Sequence, residues 1–145
     1  MPQMPRTSTW HLPVADLETR EYWEAARGGR LLIKECRACG ESFFYPRTYC
    51  PRCWSSDTEW KESTGRGRVY TFTVVHQNDL PPFNDRVPYV VAIVELEEGV
   101  RLTSNIEGCE PDDVRCDMLV TAAFRQEQRD DETVSLPVFE PQREG

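Results

Sequence analysis

Leu31-Leu32-Ile33-Lys34-Glu35-Cys36-Arg37-Ala38-Cys39-Gly40 and, after Phe43-Phe44-Tyr45-Pro46, Cys50-Pro51-Arg52-Cys53-Trp54 form the stretch that decides the fold. Two Cys-x-x-Cys pairs lie ten residues apart, and each can wrap two sulfurs around one ion through a tight turn. Together they supply the four thiolates of a tetrahedral site, the arrangement zinc prefers in its structural role. Four protein ligands leave no open position on the metal, so the expected site is Cys36, Cys39, Cys50 and Cys53 holding a structural ion. Iron in a rubredoxin-like site shares this ligand set, and four free or disulfide-forming thiols are the remaining alternative. Gly40 suits the turn after the first pair, whereas Trp54 stands in the equivalent place after the second.

Outward from this stretch, the N-terminal side predicts one helix over about Leu17 to Arg27. Asp16 would cap it, Tyr22, Trp23 and Ala26 would form its apolar side, and Gly28-Gly29 would end it. Residues 1–15 carry Pro2, Pro5 and Pro13 without periodicity and read as an extended arm, partly disordered. On the C-terminal side the pattern becomes one of strands from about Thr58. Val69 to His76 alternates, with Tyr70, Phe72, Val74 and His76 on one face. Pro88 to Leu96 is a β-branched run. Glu97-Glu98-Gly99 then turns it into Val100 to Ile106, a hairpin signal. Met118 to Phe124 alternates again, and Val134, Leu136 and Val138 allow a last short strand. Glu110 to Val114 suits one helical turn.

About five strands with a short helix between the third and fourth follow the OB-fold plan, with a plain antiparallel sandwich as the alternative. The expected fold is therefore mainly β, with an N-terminal helix and four-Cys zinc ribbon followed by a five-stranded OB-fold barrel. Its expected parts are the arm at 1–15, helix and ribbon at 16–57, barrel at 58–140 and a tail at 141–145.

Charge narrows the function. The 145 residues hold 17 Lys and Arg against 25 Asp and Glu, a net charge of −8. Residues 69–145 alone carry six Arg, no Lys and sixteen acidic residues, and four zinc-bound thiolates add about −2 elsewhere. An OB barrel that binds single strands needs a positive groove, so nucleic acid is a poor partner. No stretch approaches the roughly 18 apolar residues of a membrane span. Residues 1–10 lack the apolar run of a signal peptide, so a cytoplasmic location without a membrane is expected. Cys109 and Cys116 have no neighbours at ligand spacing and are expected in or beside the barrel core.

Catalytic chemistry finds few candidates. His11 lies in the arm, and His76 ends an apolar strand with no Ser, Cys or Asp in a recognised order. Gly65-Arg66-Gly67-Arg68 lacks the Lys-Ser/Thr of a phosphate loop and reads as the turn into the barrel, although Arg66 and Arg68 could meet a phosphorylated cofactor. The loop from Asn78 to Pro88 is stiffened by three prolines and presents Phe83, either as a binding anchor or folded back over the barrel.

The chain also resembles a known family. The residues that carry the likeness are Tyr22-Trp23-Glu24, Gly28-Gly29-Arg30-Leu31, Cys36-x-x-Cys39-Gly40, Tyr45-Pro46-Arg47 and Cys50-Pro51-x-Cys53. Gly67-Arg68-Val69-Tyr70-Thr71-Phe72-Thr73, Pro88 to Val94 and Glu97-Glu98-Gly99 continue it, over about residues 16–139. This order resembles the zinc-ribbon plus OB-fold family long catalogued as a domain of unknown function, whose members often accompany thiolases. The resemblance implies a non-catalytic accessory subunit of acyl-CoA metabolism. Its partner would be a thiolase-superfamily enzyme, such as a lipid-transfer-protein-type thiolase or an aldolase acting on steroid side-chain CoA thioesters. The chain would support that partner's fold or a shared CoA site. Asp117 and Leu119 stand where the family commonly has Gly and Pro. Expected partner contacts are Trp23, Phe43, Phe44, Tyr45, His76 and Phe83. A free-standing acyl-CoA-binding protein, with Arg66, Arg68 and Arg86 on the phosphates, is the second reading. A single-stranded nucleic-acid module is the third.

Overall fold

The computed structural model describes residues 12–129 and 132–142. Residues 1–11 of the expected arm, His11 among them, and residues 143–145 of the expected tail lie outside this range.

The one α-helix among the described residues, α1 (Arg20–Arg27), starts later than the sequence pattern suggests. Asp16 is used one step earlier: its Oδ1 accepts from the amide and the hydroxyl of Thr19, each at 2.9 Å, and closes a turn over residues 16–19. Those bonds from Thr19 hold the Asp16 carboxyl below the usual carboxylate range. The other end follows expectation. Arg30 N–H donates to Ala25 O and Gly29 N–H to Ala26 O, the paired bonds of a Schellman stop. Gly29 takes the left-handed backbone this requires, at φ +77°. Tyr22, Ala25 and Ala26 form the buried side, so Trp23 sits at the edge of the helix's apolar face.

Strands β1 (Leu32–Cys36), β2 (Ser42–Phe43) and β3 (Thr58–Glu62) form an antiparallel sheet in the order β2-β1-β3. The strand pattern does begin at Thr58, but its first strand pairs with β1 from Leu32↔Glu62 to Cys36↔Thr58 and belongs to the ribbon. The pairing places Lys34 across from Trp60, with Nζ 4.8 Å from the ring centroid, a cross-strand contact that a reading of β3 alone cannot reveal.

Five longer strands follow: β4 (Arg66–Val75), β5 (Tyr89–Leu96), β6 (Arg101–Ile106), β7 (Leu119–Arg129) and β8 (Glu132–Pro141). They close a barrel in the order β4-β5-β6-β8-β7, with β4 returning to β7 at Arg66–Arg68. A 3-10 turn at Pro111–Asp113 lies between the third and fourth barrel strands. This is the OB-fold plan, and the sandwich alternative falls.

Three departures have local causes. Strict alternation puts Val69 and Phe72 on opposite faces of β4, yet Val69 is fully buried and Phe72 also packs on the core. The register shift between Val69 and Thr71 is a bulge, which resets the inward face by one residue. The last strand is ten residues long rather than short, and it pairs with β7 from Val120↔Pro141 to Arg129↔Glu132. Cys109 lies half-buried against the core as expected, but Cys116 is exposed. It follows Val114, which takes the inward place, and precedes Asp117, whose φ of +67° turns the chain into β7.

One core joins both parts: Tyr22, Leu31, Leu32 and Ile33 cluster with Val69, Val94, Val120 and Phe139. At the barrel seam, a Cβ on Gly67 would lie 2.5 Å from Glu95 O and 3.1 Å from its carbonyl carbon. Both atoms are backbone, so relief requires β4 to move away from β5. Gly67→Ala is expected to cost about 2–3 kcal/mol, read as a lower urea midpoint at unchanged slope. An unaltered midpoint would show that the seam yields freely.

Candidate metal centre and barrel mouth

The two knuckles are near copies of each other. Gly40 N–H donates to Cys36 O at 2.8 Å and Trp54 N–H to Cys50 O at 2.9 Å. The chain closes behind each of them, Cys36 N–H reaching Glu41 O and Cys50 N–H reaching Ser55 O. Both turns need a left-handed residue at the same place, Gly40 at φ +77° and Trp54 at φ +67°. Burial works against the Cys50 thiolate, but amides more than offset it. Cys53 N–H at 3.5 Å and Arg52 N–H at 3.3 Å point at its Sγ and, with the neighbouring thiols, bring the thiol down to about 7.

All four Sγ atoms lie within 4.8 Å of one another. Cys36 and Cys53 are separated by 3.6 Å, as are Cys39 and Cys50. With Zn–S bonds of about 2.3 Å, a tetrahedron of sulfurs has edges of about 3.8 Å. The separations fit that shell and are far longer than a disulfide bond. Cys36 and Cys50 are buried and Cys39 and Cys53 exposed, so the ion would sit at the ribbon surface, enclosed by protein ligands. Such an ion holds structure and presents no site for substrate.

The three arginines considered for phosphate do not converge. Arg66 pairs with Glu97 at 3.3 Å, and Arg68 with Glu95 at 2.9 Å and Asp117 at 3.5 Å. These two line a shallow groove with Leu119 and Gln142. Arg86 lies in a different cavity of about 540 Å³, at the barrel mouth beside Phe83, Tyr89, Ile106 and Cys109. There it forms a two-pronged bond to Glu127, at 2.9 and 3.3 Å. Arg125 lies 3.0 Å from the same carboxylate and also bonds Glu107. The mouth therefore holds two cations and two carboxylates, already compensated. Burial raises the Cys109 thiol, and Asp113 and Glu110 add to the effect. That is the opposite of an activated nucleophile.

The expected contact residues divide. Phe43 is a core residue at 8% exposure. Trp23 and Phe44 are half-buried against the core, and both rings meet Tyr22 edge-on, at 4.8 and 5.7 Å. Phe83 folds back toward Tyr89, with centroids 6.2 Å apart. Tyr45 and His76 are exposed. Among the described residues the largest exposed aromatic, Trp54 at 77%, is absent from the expected contacts, as is Tyr49. The sequence did carry a signal for Trp54, because it occupies the place that glycine fills in the first knuckle.

Two family models match the chain: "ChsH2, rubredoxin-like zinc ribbon domain" over residues 23–59 and "ChsH2, C-terminal OB-fold domain" over residues 60–125. A "DUF35 domain-containing scaffold protein" of Methanocaldococcus jannaschii is 43% identical over 102 residues, 69% of this chain and 71% of that one. A "probable enoyl-CoA hydratase alpha subunit" of Thermomonospora curvata is 38% identical over 129 residues, 89% of this chain. This chain spans only 39% of that relative's length. The "benzoylsuccinyl-CoA thiolase subunit BbsA" of Geobacter metallireducens is 36% identical over 94 residues, 62% of this chain and 60% of that one. Among solved structures, a chain of an "Ltp2-ChsH2(DUF35) aldolase" superposes with a TM-score of 0.75 at 38% identity, covering 90% of this chain and 98% of that one.

Proposed function

Because this chain belongs to the ChsH2-type family of zinc-ribbon and OB-fold proteins, also called DUF35, we propose that it is a non-catalytic accessory subunit of a thiolase-superfamily enzyme. The partner is a lipid-transfer-protein-type thiolase or aldolase acting on acyl-CoA thioesters, with those of steroid side chains as the favoured class. In this reading the partner supplies the reacting groups, and the present chain supports its fold or one wall of a shared CoA site.

The observation that carries the reading is a closed four-thiolate centre, joined through a common core to a barrel whose mouth charges are already paired. A metal with four protein ligands has no place for substrate. His76 is exposed at the end of β4, and Cys109 is held as a thiol. The relatives' names, which include a scaffold, a thiolase subunit and an aldolase of two components, support the same role.

Free-standing acyl-CoA binding through Arg66, Arg68 and Arg86 has less support, since each guanidinium already meets a carboxylate. No described helix is long and apolar enough to cross a membrane.

Activity assays test the proposal. The purified zinc-loaded chain is expected to leave acyl-CoA thioesters unchanged, and the complex with its thiolase-superfamily partner to turn them over. Turnover by the chain alone, surviving further purification, would overturn the non-catalytic reading.

A further inference from the structure

We propose that Trp54 is the anchor by which this chain grips its catalytic partner, its indole entering an apolar pocket on that enzyme. The inference rests on the accessory-subunit reading and names the point of contact.

Two unfavourable features meet at this residue. A bulky L-residue at φ +67° is strained where glycine is not, and the matching position of the first knuckle is Gly40. The same residue leaves an indole 77% exposed to water. Neither feature helps the free chain to fold. Both are accounted for if the side chain has a task outside this chain.

The setting suits such a task. Trp54 N–H is tied to Cys50 O at 2.9 Å, on a turn whose first residue is a metal ligand, so the ring is presented from a rigid base. A preorganised aromatic loses little freedom on docking, and tryptophan is enriched among the residues that dominate interfaces. Other exposed apolar residues lie in the same part of the chain. Of eight large exposed hydrophobic residues among those described, Val14, Leu17, Tyr45, Tyr49 and Trp54 lie in the N-terminal part. Thr48 Oγ1 donates to Glu18, bringing the turn that carries Leu17 beside the Tyr45–Tyr49 loop.

The local chemistry and the relatives select the occupant. Arg37 and Arg52, the cations of the knuckle tips, pair with Glu59 and Glu41, and four thiolates around a divalent ion leave about −2 beside them. The knuckle tips are therefore a poor seat for a phosphate backbone or an anionic lipid surface, although the acidic excess of the chain itself lies in residues 69–145. A thiolase subunit and a two-component aldolase among the relatives favour a different protein over a second copy, one that offers an apolar pocket.

The test compares Trp54→Gly, Trp54→Asn and Trp54→Phe with the natural chain. Each zinc-loaded protein is titrated calorimetrically into the purified thiolase-superfamily enzyme that accompanies the chain in its own cells. Trp54→Gly is expected to raise the melting temperature of the free chain by about 3 °C, and to weaken the complex about 30-fold or more. Trp54→Asn, which also tolerates the left-handed backbone, should weaken it similarly, and Trp54→Phe should retain most of the affinity. Leu119→Ala, an exposed change on the barrel, should leave binding intact. If Trp54→Gly and Trp54→Asn bind within about twofold of the natural chain, the anchor is refuted while the accessory role stands. Loss of a self-dimer, or of retention on single-stranded RNA, with enzyme affinity untouched would refute it equally. If the natural chain binds no such enzyme, the accessory role itself falls, and the anchor with it.

Discussion

Stripping the metal with a strong chelator at pH 7 is expected to unfold the whole chain, not the ribbon alone. Structural zinc in small four-ligand domains contributes about 10–16 kcal/mol of apparent binding free energy. The net stability of a single domain is typically about 5–15 kcal/mol, so loss of the ion removes an amount comparable to the whole of it. The loss would not stay local. β1 runs directly into Cys36, and its Leu32 and Ile33 belong to the same cluster as barrel residues Val69 and Val94. Circular dichroism and melting curves, with metal content measured in parallel, would show loss of cooperative unfolding and its return on adding zinc. Cys39→Ser isolates the cause, because Cys39 is exposed and its replacement removes little packing. An unchanged melting curve in the metal-free protein would show that the four cysteines do not hold the fold.

The second large effect belongs to Phe139. Its side chain is fully buried, and its position closes the barrel. It pairs with Ile106 across the parallel β6–β8 contact and with Ala122 on β7, while its carbonyl accepts from Glu107 N–H at 2.8 Å. Phe139→Ala would leave a cavity among strands that cannot collapse without opening that contact. The expected cost is about 3–5 kcal/mol, or a fall of roughly 10 °C in melting temperature for a chain of this size. Urea unfolding is the direct measurement, with Leu119→Ala as a surface control expected within about 0.5 kcal/mol of the natural chain. A Phe139→Ala effect as small as the control's would mean that β8 is not part of the cooperative core.

The features most legible in the sequence were those set by local spacing. The paired cysteines determine their own geometry, the glycines after α1 fix its end, and Glu97-Glu98-Gly99 joins two strands as a hairpin. Features that depend on register were hidden. Arg68 pairs with Glu95 because β4 and β5 place them side by side, and no local pattern reports that the cation is already compensated. The bulge in β4 shifts the inward face by one residue, which strict alternation cannot anticipate. The far half of the β7–β8 hairpin is rich in Glu, Gln, Arg and Thr, so its polar sequence hides its length. Its order comes from pairing and from helix α1 packed against β8, where Arg27 meets Glu132 at 3.5 Å. Trp54 was visible as a departure from the first knuckle. Its significance depends on exposure and backbone angle, which only the folded chain supplies.

The proposed role rests on stable association, and native mass spectrometry of the tagged chain from its own cells measures it most directly. The expected result is one species that holds this chain and a thiolase-superfamily enzyme in fixed ratio, with one zinc ion for each four-cysteine site. A zinc-loaded chain recovered alone, with no such enzyme at any concentration tried, would contradict the account.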